Sequence, residues 1–297
     1  MRQFGRRWRV QVGTLLVSAS DDPGPGLACS FKVTRSLATA RAGTCELEIN
    51  NLSREHTAEI TGLPRRTTIV SVDAGYAEGT SRIFTGDLRK AIPSREGPTW
   101  KVSVTAGDGE HARRTARVSQ AFAAGTSTGV AAQAIAEAMG VGVGNAASAF
   151  RGTRLNGHGE TFDDGLVLHG SASAALTDLC NAAGLIWSIQ DGVILVLPVG
   201  GASSETAMLL GADSGMIDSP VIVDRRTVMV KCLIQPGIRP GQRVMIDSVL
   251  VSGERRISEV TFTGETHGNA WEAELTCHRP RPTLLDRSAP GVTAVDS

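Results

Sequence analysis

Much of the chain alternates between apolar and polar residues, and this pattern limits the fold more than any other feature of the sequence. Between residue 8 and about residue 108, runs such as Phe31-Lys32-Val33 and Cys45-Glu46-Leu47 place an apolar side chain at every second position. A period of two is typical of antiparallel strands with one buried face and one wet face. Turn-forming residues separate the runs, among them Asp73-Ala74-Gly75 and Gly107-Asp108-Gly109. The spacing predicts several short strands in a barrel or a sandwich.

A second β-rich stretch follows residue 200, and an α/β segment separates it from the first. Helices are predicted at 127–139 and at about 173–183, because each has an apolar stripe and a glycine at its end. Asp191-Gly192 stands between two apolar runs and predicts a hairpin. The predicted fold is mainly β (α+β), with a first β-barrel domain at 1–110, an α/β insert at 111–200, a second β-barrel domain at 201–280, and an extended C-terminal tail at 281–297.

Composition and charge exclude several classes of protein. The chain has 297 residues, 41% of them hydrophobic, which is enough for two folded domains. Thirty basic and thirty acidic residues cancel, which argues against specific nucleic-acid binding. The longest apolar run, 192–199, is far shorter than the roughly 20 residues of a membrane helix, so no membrane insertion is predicted. The alternation near the N-terminus favours a strand over a signal peptide.

Five cysteines are widely spaced and form no CxxC pair. This usage is typical of buried free thiols in a reducing compartment. Cys29 and Cys45 are placed to face each other across a hairpin, but packing as small hydrophobic residues is the favoured interpretation.

Three segments invite a chemical interpretation, and each has a plainer one. Gly125–Gly129 matches the G-x-S-x-G elbow of serine hydrolases, but that elbow needs parallel βα units, so Ser127 is expected to cap a helix. The glycine-rich stretch 140–145 ends a helix instead of opening one, which disfavours cofactor binding. The segment 158–165, with Glu160, Asp163 and Asp164, lacks the ligand spacing of a calcium loop and is expected to be a solvated acidic turn. No catalytic, cofactor or metal site is predicted.

Two arginine clusters are the candidate functional residues. Arginine is favoured at protein interfaces, where its planar guanidinium forms paired hydrogen bonds and stacks on rings. Trp8, inside the first cluster, is predicted to be an aromatic anchor. By contrast, Arg54, Arg65 and Arg66 are interpreted as isolated loop charges. The predicted interface consists of Arg6, Arg7, Trp8 and Arg9 near the N-terminus and of Arg113, Arg114 and Arg117 before the first predicted helix.

The middle of the chain resembles the tail baseplate hub proteins of bacteriophages and related injection or gene-transfer particles. The phrases that carry the resemblance are Phe84–Leu88, Trp100–Glu110, Arg114–Phe122 and Thr126–Gly140. Weaker similarity lies at Leu233–Gly241 and at His267–Trp271, in the second β-rich stretch.

The resemblance implies a structural protein of the virion, assembled in the host cytoplasm, with no enzymatic activity and no cofactor. It implies two tail-tube-like barrels per chain and a homotrimeric ring with pseudo-six-fold symmetry. That ring would join the tail tube to the central spike, nucleate tail assembly and form the passage for genome ejection. The implied partners are the tail tube protein, distal tail or baseplate proteins, the spike protein and the tape measure protein. A serine hydrolase using Ser127 and a stand-alone β-rich binding module stay open as alternatives.

Overall fold

The computed structural model describes residues 5–18, 26–39, 41–153, 155 and 159–280, and it is mainly β, as the sequence predicts. The predicted tail at 281–297 and His158 lie outside the described residues. The strands are β1 (Arg6–Val12), β2 (Leu15–Ser18), β3 (Cys29–Ser36), β4 (Thr44–Asn50), β5 (Ile69–Tyr76), β6 (Gly79–Glu96), β7 (Thr99–Gly107), β8 (Arg117–Phe122), β9 (Leu166–Ser171), β10 (Leu185–Gln190), β11 (Val193–Pro198), β12 (Met208–Gly211), β13 (Val221–Ile222), β14 (Thr227–Leu233), β15 (Arg243–Asp247), β16 (Ser252–Glu265) and β17 (Trp271–His278). The helices are α1 (Arg54–Gly62), α2 (Glu110–Thr115), α3 (Thr128–Met139), α4 (Ala146–Ala149) and α5 (Ala172–Ala182), and a 3-10 turn spans Ala212–Ser214.

One large sheet holds both of the predicted β-rich stretches. Its strand order is β13-β14-β17-β16-β3-β4-β7-β6-β5-β1-β2, with β15 beside β16 and β12 beside β15. Neighbours along this order are antiparallel, whereas β12 and β15 are parallel. The early and late parts of the chain meet where Ser30–Ser36 of β3 pairs with Glu259–Glu265 of β16. Among the described strands the order ends at β13 and at β2, so no closed barrel is present and two separate barrels are not confirmed.

Two hydrophobic cores lie on either side of a polar boundary. The larger core lies under the sheet and takes alternate residues from early and late strands, such as Val33, Leu47 and Phe262. The smaller core is built from α3, α5 and β8–β11, and Ile135 and Trp187 lie at its centre. We call the first part the sheet body and the second part, residues 110–198, the insert.

The strongest local signals of the sequence are confirmed. Helix α3 begins after Ser127, whose hydroxyl accepts from the Val130 amide, and ends at Gly140 with φ of 67°. Helix α5 lies within one residue of the prediction. Strands β10 and β11 form the predicted hairpin, and Asp191 and Gly192 have φ values of 55° and 76°. Two consecutive positive φ values are those of a type I′ turn, which matches the twist of the paired strands.

The structure has three helices that the sequence does not predict, and one of them changes the position of candidate interface residues. Helix α1 lies in the region predicted as strands, and only Ile60 of it is buried, so its apolar stripe is too weak to read. Helix α2 holds Arg113 and Arg114, which were expected at the start of a strand; β8 begins only at Arg117. A helix of six residues is too short to show a periodic pattern.

All five cysteines are free and buried, as predicted. Cys29 lies opposite Ile49, and Cys45 lies opposite Val33. The two thiols therefore do not face each other across the hairpin.

Each helix in the described part of the chain is too short or too polar to cross a membrane.

Candidate assembly interface

Arg6 is held within its own chain. Its guanidinium donates to the backbone carbonyls of Glu265, Gly268 and Asn269 at distances of 3.1, 2.6 and 2.9 Å. The same group lies 5.5 Å from the ring centre of Trp271. Arg6 thereby ties the first strand to the β16–β17 hairpin, and this contact stabilises the monomer.

Trp8 cannot be the exposed anchor that the sequence suggests, because its side chain is only 2% exposed. It points into the sheet body on the same face of β1 as Val10 and Val12. Arg7 is half-buried and Arg9 is exposed on the opposite face. Of the first cluster, Arg9 is thus the most accessible to a partner.

Trp100 is the exposed aromatic residue that the sequence analysis missed. It lies at the tip of the β6–β7 hairpin, and its side chain is 50% exposed. The guanidinium of Arg95, its cross-strand neighbour, lies 5.5 Å from its ring centre. An exposed tryptophan with a stacked arginine is a pair that interfaces favour.

The second arginine cluster lies where the insert meets the sheet body. The guanidinium of Arg113 lies 5.1 Å from the ring centre of the buried Trp187. Burial lowers the pKa of Arg113 below its usual value, although nearby Glu110 opposes that shift. Arg114 is exposed and lies 4.0 Å from a Glu110 carboxylate oxygen. Arg117 is exposed on β8.

The boundary between the two cores is held by a group that we call the latch: Arg35, Asp108, Gln190 and Asp191. Arg35 is 3% exposed and donates to Asp191 Oδ2 at 2.7 Å and to Gln190 Oε1 at 3.1 Å. Asp108 accepts from the backbone amides of Asp191 and Gly192 at 2.6 and 2.9 Å. Because these bonds cross from β3 and from the residue directly after β7 to the β10–β11 hairpin, they fix the insert on the sheet body.

The latch also contains a perturbed acid. Burial raises the pKa of Asp108 from its ordinary 3.8 to about 6, and the two backbone hydrogen bonds and Arg35 oppose that shift. Desolvation has this effect because it disfavours the charged form of a carboxyl.

Ser127, Glu160 and the 140–145 stretch, which invite a chemical interpretation, each make local structural contacts. The Ser127 hydroxyl caps α3, and its backbone bridges to Thr161. The backbone carbonyl of Glu160 accepts from Thr128, and its carboxylate accepts from the Gly152 amide at 2.5 Å. Within the described ranges no group of three or more His, Cys, Asp or Glu side chains is arranged to hold a metal ion. The 140–145 stretch connects α3 to α4, and Gly142 pairs with Val193.

Two solved structures share this fold. The 43 kDa tail protein of prophage MuSo2 from Shewanella oneidensis is 13% identical, with a TM-score of 0.64 over 93% of this chain and 97% of that chain. The tail protein from Neisseria meningitidis MC58 is 12% identical, with a TM-score of 0.58 and the same two coverages. No curated protein sequence matches the chain.

The family comparison is more specific. Residues 25–270 match the family described as baseplate hub gp41, and this range includes most of the sheet body and the whole insert. The resemblance found in the sequence is therefore confirmed, and a place in the tail of a phage-like particle follows from it. The chain belongs to the baseplate hub gp41 family.

Proposed function

We propose that three copies of this chain form a ring with pseudo-six-fold symmetry, which joins the tail tube to the central spike and nucleates tail assembly. The observation that carries the proposal is the β3–β16 pairing, which sets the early and late β regions edge to edge in one sheet. Each chain thus brings two β units side by side, and three chains bring six. A ring of this kind offers six sites to a hexagonal tube and three to a trimeric spike.

The ends of the sheet support closure between copies. No strand in the described part of the chain pairs with the outer edges of β2 and β13. Leu16 on β2 and Val221 and Ile222 on β13 expose more than half of their side chains. Open apolar edges promote aggregation unless another chain covers them, and ring closure would cover both.

In this arrangement 1–110 and 201–280 act as the two tail-tube-like barrel domains, and 111–200 is the insert between them. The barrels are completed by neighbouring copies. The partners are the tail tube protein, distal tail or baseplate proteins, the spike protein and the tape measure protein. Arg9, Arg117 and Trp100 are among the accessible residues for these contacts. Assembly takes place in the host cytoplasm, and the ring opens for genome ejection.

The test is the particle mass of the purified full chain, alone and after mixing with its tube and spike proteins, followed by particle images. The proposal expects three copies per particle and six similar lobes around the ring. A chain that stays monomeric at micromolar concentration with both partners present would overturn it. A hydrolase would instead show a stoichiometric fluorophosphonate adduct at Ser127, which the capping role of that hydroxyl opposes.

A further inference from the structure

The charges of this neutral chain are unevenly distributed. Two adjoining clefts at the boundary between sheet body and insert share Arg89, Glu110 and Arg114 as lining residues. We call the pair the arginine cleft. Four more arginines are among its lining residues, and Asp87 and Glu110 are its acidic residues; the four are Arg41, Arg65, Arg66 and Arg113.

Local backbone features place these side chains in the cleft. Arg89 is the extra residue of a β-bulge between Leu88 and Lys90, and a bulge redirects the side chain that it carries. The Arg89 guanidinium lies over Gly107, and a Cβ at residue 107 would collide with it. Arg66 has a φ of 71°, a left-handed conformation that costs a residue other than glycine about 1 kcal/mol or more. An arginine thus stands at a position where glycine would be less strained.

The carboxylates of the cleft do not neutralise its arginines. Glu110 is shared between Arg89 and Arg114. Arg65 and Arg66 are exposed, and neither forms an ion pair within the described residues. A surface that covers this surplus of positive charge would be anionic, because a like-charged surface would be repelled.

A complementary surface lies elsewhere on the same chain. A groove of about 650 Å³ is lined by Asp213, Asp218 and Asp247 and by no basic residue. We call it the acidic groove. The exposed apolar side chains Ile217 and Val249 also line it, and all three carboxylates are exposed. Apolar side chains beside unpaired charges are typical of a surface that a protein partner covers.

We propose that the arginine cleft of one copy receives the acidic groove surface of the next copy, and that this contact sets the direction of the ring. The inference rests on the proposed ring. A chain of zero net charge with separated patches of opposite sign is suited to binding its own copies, whereas binding a polyanion such as nucleic acid favours a net basic protein. Two different patches make a head-to-tail contact, which closes into a ring by rotation.

Charge reversal tests the contact. The double variants R65E/R66E and D213R/D218R each place like charges together, so each should lower the association constant at least about tenfold. The variant with all four substitutions pairs a reversed cleft with a reversed groove in every contact. Its association should return to within about threefold of the wild type.

A mixture of the two double variants provides a geometric check. Favourable contacts then form only between unlike chains, and a ring of three cannot alternate two kinds of chain. Every ring of three in the mixture therefore holds at least one repulsive contact, so rings should be less stable in the mixture than in the fourfold variant at the same total concentration. Rings of equal stability in the two samples would contradict a cleft-to-groove contact.

Two controls separate this contact from folding. Arg66→Gly removes one charge and relieves the left-handed strain, so thermal stability should be kept or raised while ring formation weakens. Asp163→Arg with Asp164→Arg reverses an exposed acidic pair outside the acidic groove and should leave ring formation unchanged.

The possible failures are distinguishable. If both double variants form rings as well as the wild type, the cleft-to-groove contact is overturned and the ring is left intact. The same conclusion follows if the association of the fourfold variant is as weak as that of the double variants. A wild-type chain that forms no ring with its tube and spike partners would overturn the proposed function itself.

Discussion

The sheet body and the insert bury their apolar side chains in different ways. In the sheet body, Val33 of β3 lies beside Phe262 of β16, so the core needs both ends of the chain. In the insert, the core is made within residues 112–196 by helices and a hairpin that follow one another. The sheet body can therefore form only after most of the chain is present. The contacts of the insert are local in sequence, and the insert depends on the latch for its position.

The largest expected effect comes from the seam between early and late strands. Phe262 is completely buried on β16, and Phe262→Ala should lower the free energy of unfolding by about 4 kcal/mol through lost burial and a cavity. Urea unfolding measures this loss. The rate of backbone amide hydrogen exchange should rise in both β3 and β16. A rise confined to β16 would contradict the view that the two strands are stable only when paired.

A matched substitution in the insert sharpens the comparison. Leu176 is completely buried in α5, and Leu176→Ala should lower stability by about 3 kcal/mol. Hydrogen exchange should increase in α3, α5 and β10–β11 while β3 and β16 keep their protection. Equal loss of protection in the sheet body would show that the two parts unfold as one unit.

Removing the cation of the latch should have a smaller effect. Arg35→Met leaves Asp191 and the buried Asp108 without their cation, and it should lower stability by about 2 to 3 kcal/mol. Arg82→Met is the control, because Arg82 pairs with Asp73 at a more exposed site and its loss should cost less than about 1 kcal/mol. Equal losses in thermal or urea unfolding would refute the latch.

The smallest effect is the pH dependence of the latch. The pKa of Asp108 is about 6 in the folded chain against an ordinary 3.8, so the folded state takes up this proton first as pH falls. Its contribution to stability is therefore full below about pH 4 and is lost as pH rises from about 4 through 6. The wild-type stability minus that of Asp108→Asn should fall over this range. A difference that stays flat or rises would contradict the assignment.

Local patterns predict the local parts of this fold. The period of two in β3 and β4, the apolar stripes of α3 and α5, and the Asp191-Gly192 turn all depend on residues that are close in sequence. The β3–β16 pairing joins segments more than two hundred residues apart, and an alternating pattern does not specify which strand is its neighbour. The alternating pattern therefore predicts the strands themselves and does not determine how they are paired within a sheet or a barrel.

The arginines show the same limit at the candidate interface. The burial of Trp8 could be predicted from the sequence, because Trp8 lies on the same face of β1 as Val10 and Val12. The arginine cleft could not be predicted from the sequence, because the fold brings Arg41, Arg66 and Arg89 together from separate loops and strands. In sequence they are isolated charges, and only the fold shows that they share a surface.

A three-fold ring of paired β units has a defined mass, which can be measured on single particles. The full chain, measured with its tube and spike proteins, should give particles that hold three copies and appear six-lobed in projection. Particles that hold one copy, or rings of three lobes without the pseudo-six-fold repeat, would contradict a ring of three chains with two β units each.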